Sequence, residues 1–195
     1  MATKGEVTRG KIIEDATRIF HRKGFLTTTI SDLLAATGTT KGNLYFHFAG
    51  KEAVGLAVLA NARATFRDFL AASLQGETPG AQLDNFFHQA LERNRRNQSV
   101  GGCLFGNTAL EACDNTPSFA QIVGEVFSEW IARLEEVIAA AQAAGQVRRD
   151  LAAAQLAELV VATIEGAIMQ TRLKQNAEPL GRALDTLRVV LELKL

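Results

Sequence analysis

Over residues 8–23 the apolar residues Ile12, Ala16, Ile19 and Phe20 recur at helical spacing, with Lys11, Glu14, Asp15 and Arg18 between them. This periodicity predicts an amphipathic helix. Gly24 directly follows Arg22 and Lys23, the arrangement of a C-terminal cap with cations at the negative end of the helix dipole. Thr28 or Thr29 can cap a second helix of about two turns carrying Ile30, Leu33 and Leu34, with Asp32 near its start. Thr37-Gly38-Thr39 then makes a turn, and Thr40 caps a third helix from residue 41 to about 46. Two short helices joined through a glycine turn form a helix-turn-helix.

Beyond Phe48 the pattern lengthens. Residues 51–75 contain no proline and place Leu56, Leu59, Phe66 and Leu70 along one side, enough for a helix of about 37 Å at ~1.5 Å per residue. A break at 76–80 leads into a helix opened by Pro79 and carrying Leu83, Phe86, Phe87 and Leu91. Another break is expected at 98–102, then a short helix over 104–113 and a turn at 114–117. A long helix capped by Ser118 runs to about 144, where Gly145 stops it. Two more helices are expected, at 150–174 and 179–192. The expected fold is all-α, about nine helices, with a three-helix head over residues 1–50 and a helical body over residues 51–195. Only 3 prolines in 195 residues agree with that.

Charge sharpens the division. The net charge is zero, but residues 1–50 hold 7 Lys and Arg against 4 Asp and Glu, whereas residues 51–195 hold 14 against 17. A basic head on an acidic body suits a chain whose one end meets phosphate. Cys103 and Cys113 lack the spacing of a redox or zinc pair, no metal cluster is suggested, and no nucleophile motif or glycine-rich phosphate loop is present. The expectation is a protein that is not an enzyme and uses no cofactor. No apolar run approaches the ~18 residues of a membrane span and no signal-peptide core opens the chain, so a cytoplasmic location is expected.

The segment Thr39-Thr40-Lys41-Gly42-Asn43-Leu44-Tyr45-Phe46-His47-Phe48, followed by Gly50-Lys51-Glu52, resembles the recognition helix of TetR family transcriptional regulators. The flanking Ile12-Ile13-Glu14-Asp15-Ala16, Gly24-Phe25, Thr27-Thr28-Thr29-Ile30 and Ala35-Ala36-Thr37-Gly38 agree, so the resemblance covers about the first 55 residues. It implies a homodimeric repressor of a palindromic double-stranded operator, released by a small-molecule effector. On the third helix Thr39, Thr40, Lys41 and Asn43 are of types that reach base edges or phosphates, while Tyr45 and His47 suit phosphate oxygens. Lys51, at the start of the long helix, sits where an anion is favoured. Thr28 and Thr29 have two roles open to them, capping and phosphate contact.

In the body, Leu156, Val160, Thr163 and Ala167 on the 150–174 helix, with Leu187 on the last helix, form the expected dimer face, and Leu159 and Met169 are assigned to the core. Aromatic residues concentrate here. Phe66, Phe87, Phe105, Phe127 and Trp130, with Asn107, are the candidate ligand contacts, and His88, Glu111 and Glu165 are further polar points. The segment from Gly101 to Glu111 is similar to one in a subset of TetR-like regulators, some of which respond to small organic compounds. The alternative is a thiol-based sensor of oxidants or electrophiles at Cys103, whose thiolate the start of a helix at Leu104 would favour.

Overall fold

The computed structural model describes residues 3–97 and 101–195, so most of the break expected at 98–102 lies outside the described residues. Among the described residues there are nine helices and no strand: α1 (Lys4–Lys23), α2 (Ile30–Thr37), α3 (Lys41–His47), α4 (Lys51–Ser73), α5 (Pro79–Arg96), α6 (Leu104–Ala112), α7 (Pro117–Ala143), α8 (Ala153–Lys174) and α9 (Glu178–Val190). The all-α expectation holds. The first helix begins a turn earlier than its periodicity suggested, because Thr3 and Glu6 form a reciprocal capping box there. Ser118 does not cap α7: it lies inside the helix, and its hydroxyl donates to Glu52 at 2.9 Å.

The chain divides into two compact units, and it crosses between them at 65/66, 103/104 and 124/125. The first unit holds residues up to 65 together with 104–124, so the expected boundary at residue 50 falls within it. Its core is Ile12, Ala16, Phe20, Leu33, Leu44 and Phe48 from α1 to α3, with Val54, Val58 and Phe119. Leu44 and Phe48 thus bury the inner face of the third helix. The second unit, 66–103 and 125–195, is built on a continuous apolar cluster that includes Leu83, Phe86, Leu134, Ile138, Leu156, Val160, Ile164, Leu184 and Leu187. In it α9 packs along α8 and against α5, and Arg188 fastens the latter contact by donating to Asp84 at 2.6 Å while lying 5.5 Å from the centre of the Phe87 ring.

Candidate DNA-binding and effector sites

Helix α3 is held on one side and bare on the other. Thr40 caps it by accepting the Asn43 backbone N–H at 3.2 Å, and the Asn43 side-chain amide donates to the Thr39 hydroxyl at 2.8 Å. Thr40, Lys41, Gly42 and Tyr45 are exposed, and Thr39, Asn43 and His47 are half-buried. The exposed row therefore carries a hydroxyl, a cation and a phenol, with the half-buried Thr39 hydroxyl and Asn43 amide beside them, groups of the types that contact base edges and phosphates. Phe46, which the sequence reading left without a role, is 81% exposed, its ring edge-on to His47 at 5.0 Å. Phenylalanine serves as an apolar contact for a thymine methyl. Replacing it, Phe46→Ala, is expected to lower affinity about five- to tenfold for an operator carrying thymine at the contacted step, with little effect on thymine-free duplexes, as titrations of both would show.

Behind α3 the loop from Gly24 to Thr29 is clamped from two directions. The Glu111 carboxylate on α6 accepts the backbone N–H groups of Phe25 at 2.9 Å and Leu26 at 2.6 Å. From the other side the Lys51 ammonium donates to the carbonyls of Phe25, Leu26 and Thr28 at 3.0, 3.3 and 3.0 Å, and it lies 4.5 Å from the centre of the Phe25 ring. Gly24 has φ +88°, and a Cβ on it would stand 2.7 Å from a Glu111 carboxylate oxygen. Only glycine permits both the backbone turn and the close approach.

This corrects three expectations. Lys51 is turned inward to three loop carbonyls, so its side chain is not presented for a phosphate. Thr28 is fully buried, its hydroxyl donating to the Gly24 carbonyl at 2.6 Å, so it neither caps α2 nor faces outward. Thr29 is the cap, in a reciprocal capping box with Asp32. Lys23, 2.6 Å from the same carboxylate, and Thr29 together hold Asp32 far below the usual carboxylate range. Glu111, expected among the polar points of a ligand pocket, belongs to the clamp instead.

The candidate ligand contacts are divided between the two units. Phe87 is fully buried in the core of the second unit. Phe105 is buried in the first unit, where Asn107 lines a recess of about 10 Å³, room for about one water. Phe66, Phe127 and Trp130 do come together, in the second unit. The Trp130 ring meets Phe66 edge-on at 5.2 Å, stacks with Phe127 at 6.3 Å and meets Phe86 at 6.4 Å, and Phe69 stacks on Phe66 at 6.0 Å. Arg93 of α5, which the sequence reading missed, places its guanidinium 4.7 Å from the Phe69 centroid and 6.0 Å from that of Phe66. Cys103 interacts electrostatically with Arg93 and hydrogen-bonds Glu165 of α8. The indole nitrogen of Trp130 in this aromatic group, and one carboxyl oxygen of Glu165, are buried without a hydrogen-bond partner among the described residues.

Two family models match the chain. That of the "Bacterial regulatory proteins, tetR family" covers residues 12–58, and the "Tetracyclin repressor-like, C-terminal domain" covers residues 79–187, more than half the chain. The chain belongs to the TetR family of bacterial transcriptional regulators. It is similar to the HTH-type transcriptional repressor DhaR of Mycobacterium sp. strain GP1, 29% identical over 90% of this chain and 88% of that protein. The transcriptional regulator AcuR of Cereibacter sphaeroides is 31% identical over 81% of this chain and 73% of its own length. Among solved structures, a TetR transcriptional regulator from Chloroflexus aurantiacus superposes with a TM-score of 0.88 at 34% identity, covering 97% and 96% of the two chains. TetR-family regulators bind DNA, dimerise and take small-molecule effectors; they are not enzymes.

A TetR-family dimer needs an apolar face left uncovered by its own chain, and the expected one is not available. Leu156, Val160, Ala167 and Leu187 are buried within the second unit, and Thr163 is half-buried. Helix α8 packs on α9 with those side chains, which makes them core. The opposite stripe of α8 is largely bare: Leu159, Ala162, Gly166, Met169 and Leu173 follow one another at spacings of three and four, all exposed except half-buried Gly166. Met169 is 57% and Leu173 77% exposed, and Val189 on α9 is also uncovered. Leu159 and Met169, expected in the core, therefore lie outside it. The periodicity alone was ambiguous, because α8 carries apolar residues on both faces. Among the described residues no helix is long and apolar enough to cross a membrane.

Proposed function

We propose that this TetR-family regulator is a cytoplasmic repressor that binds a palindromic operator as a homodimer and leaves it when a small apolar or aromatic compound enters the aromatic group around Trp130. In functional terms the division is a DNA-binding head, residues 1–50, and a body, residues 51–195, that binds the effector and dimerises. The exposed Thr40, Lys41 and Tyr45 at α3, with half-buried Asn43 among them, carry the DNA-binding part of this reading. With Thr39 and His47 it supplies base-edge and phosphate contacts, and exposed Thr29 adds a second backbone contact. Two such helices would read half-sites about 34–36 Å apart, or a multiple of that. The dimer face is assigned to Leu159, Ala162, Met169 and Leu173 with Val189.

The test is titration of DNA from just upstream of the chain's own coding region. Tyr45→Phe is expected to lower affinity for all duplexes alike by roughly three- to tenfold, because it removes one phosphate contact. Asn43→Ala should instead flatten the preference among operator variants. Equal loss on specific and unrelated DNA would take Asn43 out of the base-reading set.

A second reading has one observation in its favour: the Arg93 cation acts on Cys103, and a neighbouring cation stabilises a thiolate. If Cys103 is a thiol sensor, hydrogen peroxide releases the operator from wild type but not from Cys103→Ser. Retained release in that variant rejects the sensor.

A further inference from the structure

The groups around Trp130 have an electrical imbalance that an effector would correct. Arg93 spreads its guanidinium over Phe69 and Phe66, and no carboxylate lies within ion-pair distance of it among the described residues. Crowding by protein pulls its pKa below the usual arginine value, with the electrostatic effect of Cys103 opposing. A cation stripped of water without a counter-charge is unfavourable. Trp130, whose ring meets the same Phe66 at 5.2 Å and which is 5% exposed, directs an indole N–H, a group that only donates, to no acceptor. Both groups ask for the same complement, an anionic oxygen.

Glu165 fits that account. One of its oxygens is buried without a partner, and Cys103 holds the carboxyl by a hydrogen bond. Burial pushes its pKa up, and the bond from Cys103 opposes. In the protonated form that burial favours, the carboxyl donates a hydrogen bond and does not repel an anion. An amine is disfavoured, because Arg93 already occupies the Phe69 face that a second cation would need.

We propose that the effector of this site is a small organic carboxylate, its anionic oxygens received by Arg93 and the Trp130 indole N–H and its apolar body against Phe66, Phe69 and Phe127. This rests on the reading of the aromatic group as the effector site.

Trp130 is the chain's single tryptophan, so its fluorescence reports on the site directly. The full-length protein is titrated with acetate, butanoate, benzoate and phenylacetate, with their amides and with benzylamine, and the same compounds are added to the operator complex. At least one acid is expected to change the fluorescence and release DNA at concentrations about tenfold or more below those of its amide, as loss of a charge-assisted bond implies. Arg93→Gln is expected to erase that difference between acid and amide, while Glu165→Gln, a neutral isostere, keeps acid binding within about threefold. Amides as effective as acids, a preference for benzylamine, or an acid preference that survives Arg93→Gln overturns the carboxylate class and leaves the site as an effector pocket. Silence of Trp130 towards every compound overturns the pocket itself and the proposal with it.

Discussion

Met169→Glu is expected to yield a folded monomer with no specific operator binding, whereas Ala167→Glu, two residues earlier, is expected to prevent the second unit from folding. Met169 lies on the bare stripe of α8, and Ala167 points into the core against α9. A two-fold interface presents each residue twice, so Met169→Glu introduces two uncompensated carboxylates into one apolar contact. At about 3–5 kcal/mol for a buried unpaired charge, the dimer constant should fall roughly a hundredfold or more. The same cost at Ala167 falls on folding and is comparable to the whole stability of a domain of ~5–15 kcal/mol. Sedimentation velocity and thermal unfolding separate the two. A Met169→Glu protein that remains dimeric at micromolar concentration would reject this face.

Breaking the clamp on the Gly24–Thr29 loop should have the next largest effect. Glu111→Ala leaves the Phe25 and Leu26 N–H groups without their acceptor. Hydrogen bonds to a charged group contribute about 1.5–3 kcal/mol each, so the first unit should lose roughly 3 kcal/mol or more and its DNA affinity with it. Glu111→Gln keeps one acceptor and should lose about half of that. Gly24→Ala should match or exceed the first variant, since it adds strain at φ +88° to a collision with the carboxylate. Lys51→Ala should act in the same way, by stability and not through phosphate. If its melting temperature were unchanged and only the salt dependence of DNA binding fell, Lys51 would be a phosphate contact after all. Chemical unfolding followed by operator titration measures each case.

Local signals accounted for much of the architecture. Capping threonines before α2 and α3, the glycines at 24, 38 and 145 and the three prolines each act over a few residues, so the helices appeared nearly at their observed bounds. The recognition helix was legible for the same reason: Thr40, Lys41, Asn43 and Tyr45 fall within one short stretch, and a seven-residue helix shows at once which positions face in. Phe46 escaped notice because an exposed phenylalanine breaks the rule by which such faces are read.

The sequence by itself determined the all-α fold, the helix-turn-helix and the polar residues exposed on its third helix, because period, cap and turn chemistry are properties of neighbouring residues. Only the tertiary structure decided which partner each long-range side chain takes. Glu111 lies some eighty-five positions from the loop it holds, and Lys51 about twenty-five. Arg93, Cys103, Trp130 and Glu165 come from separate segments, and nothing in their spacing announces that they meet. The same holds for α8, apolar on two faces, where the burial of Ala167 and the exposure of Met169 follow from where α9 lies. Contacts at such separations depend on how whole helices pack, and that is set by the summed burial of the core, which no local window of sequence contains.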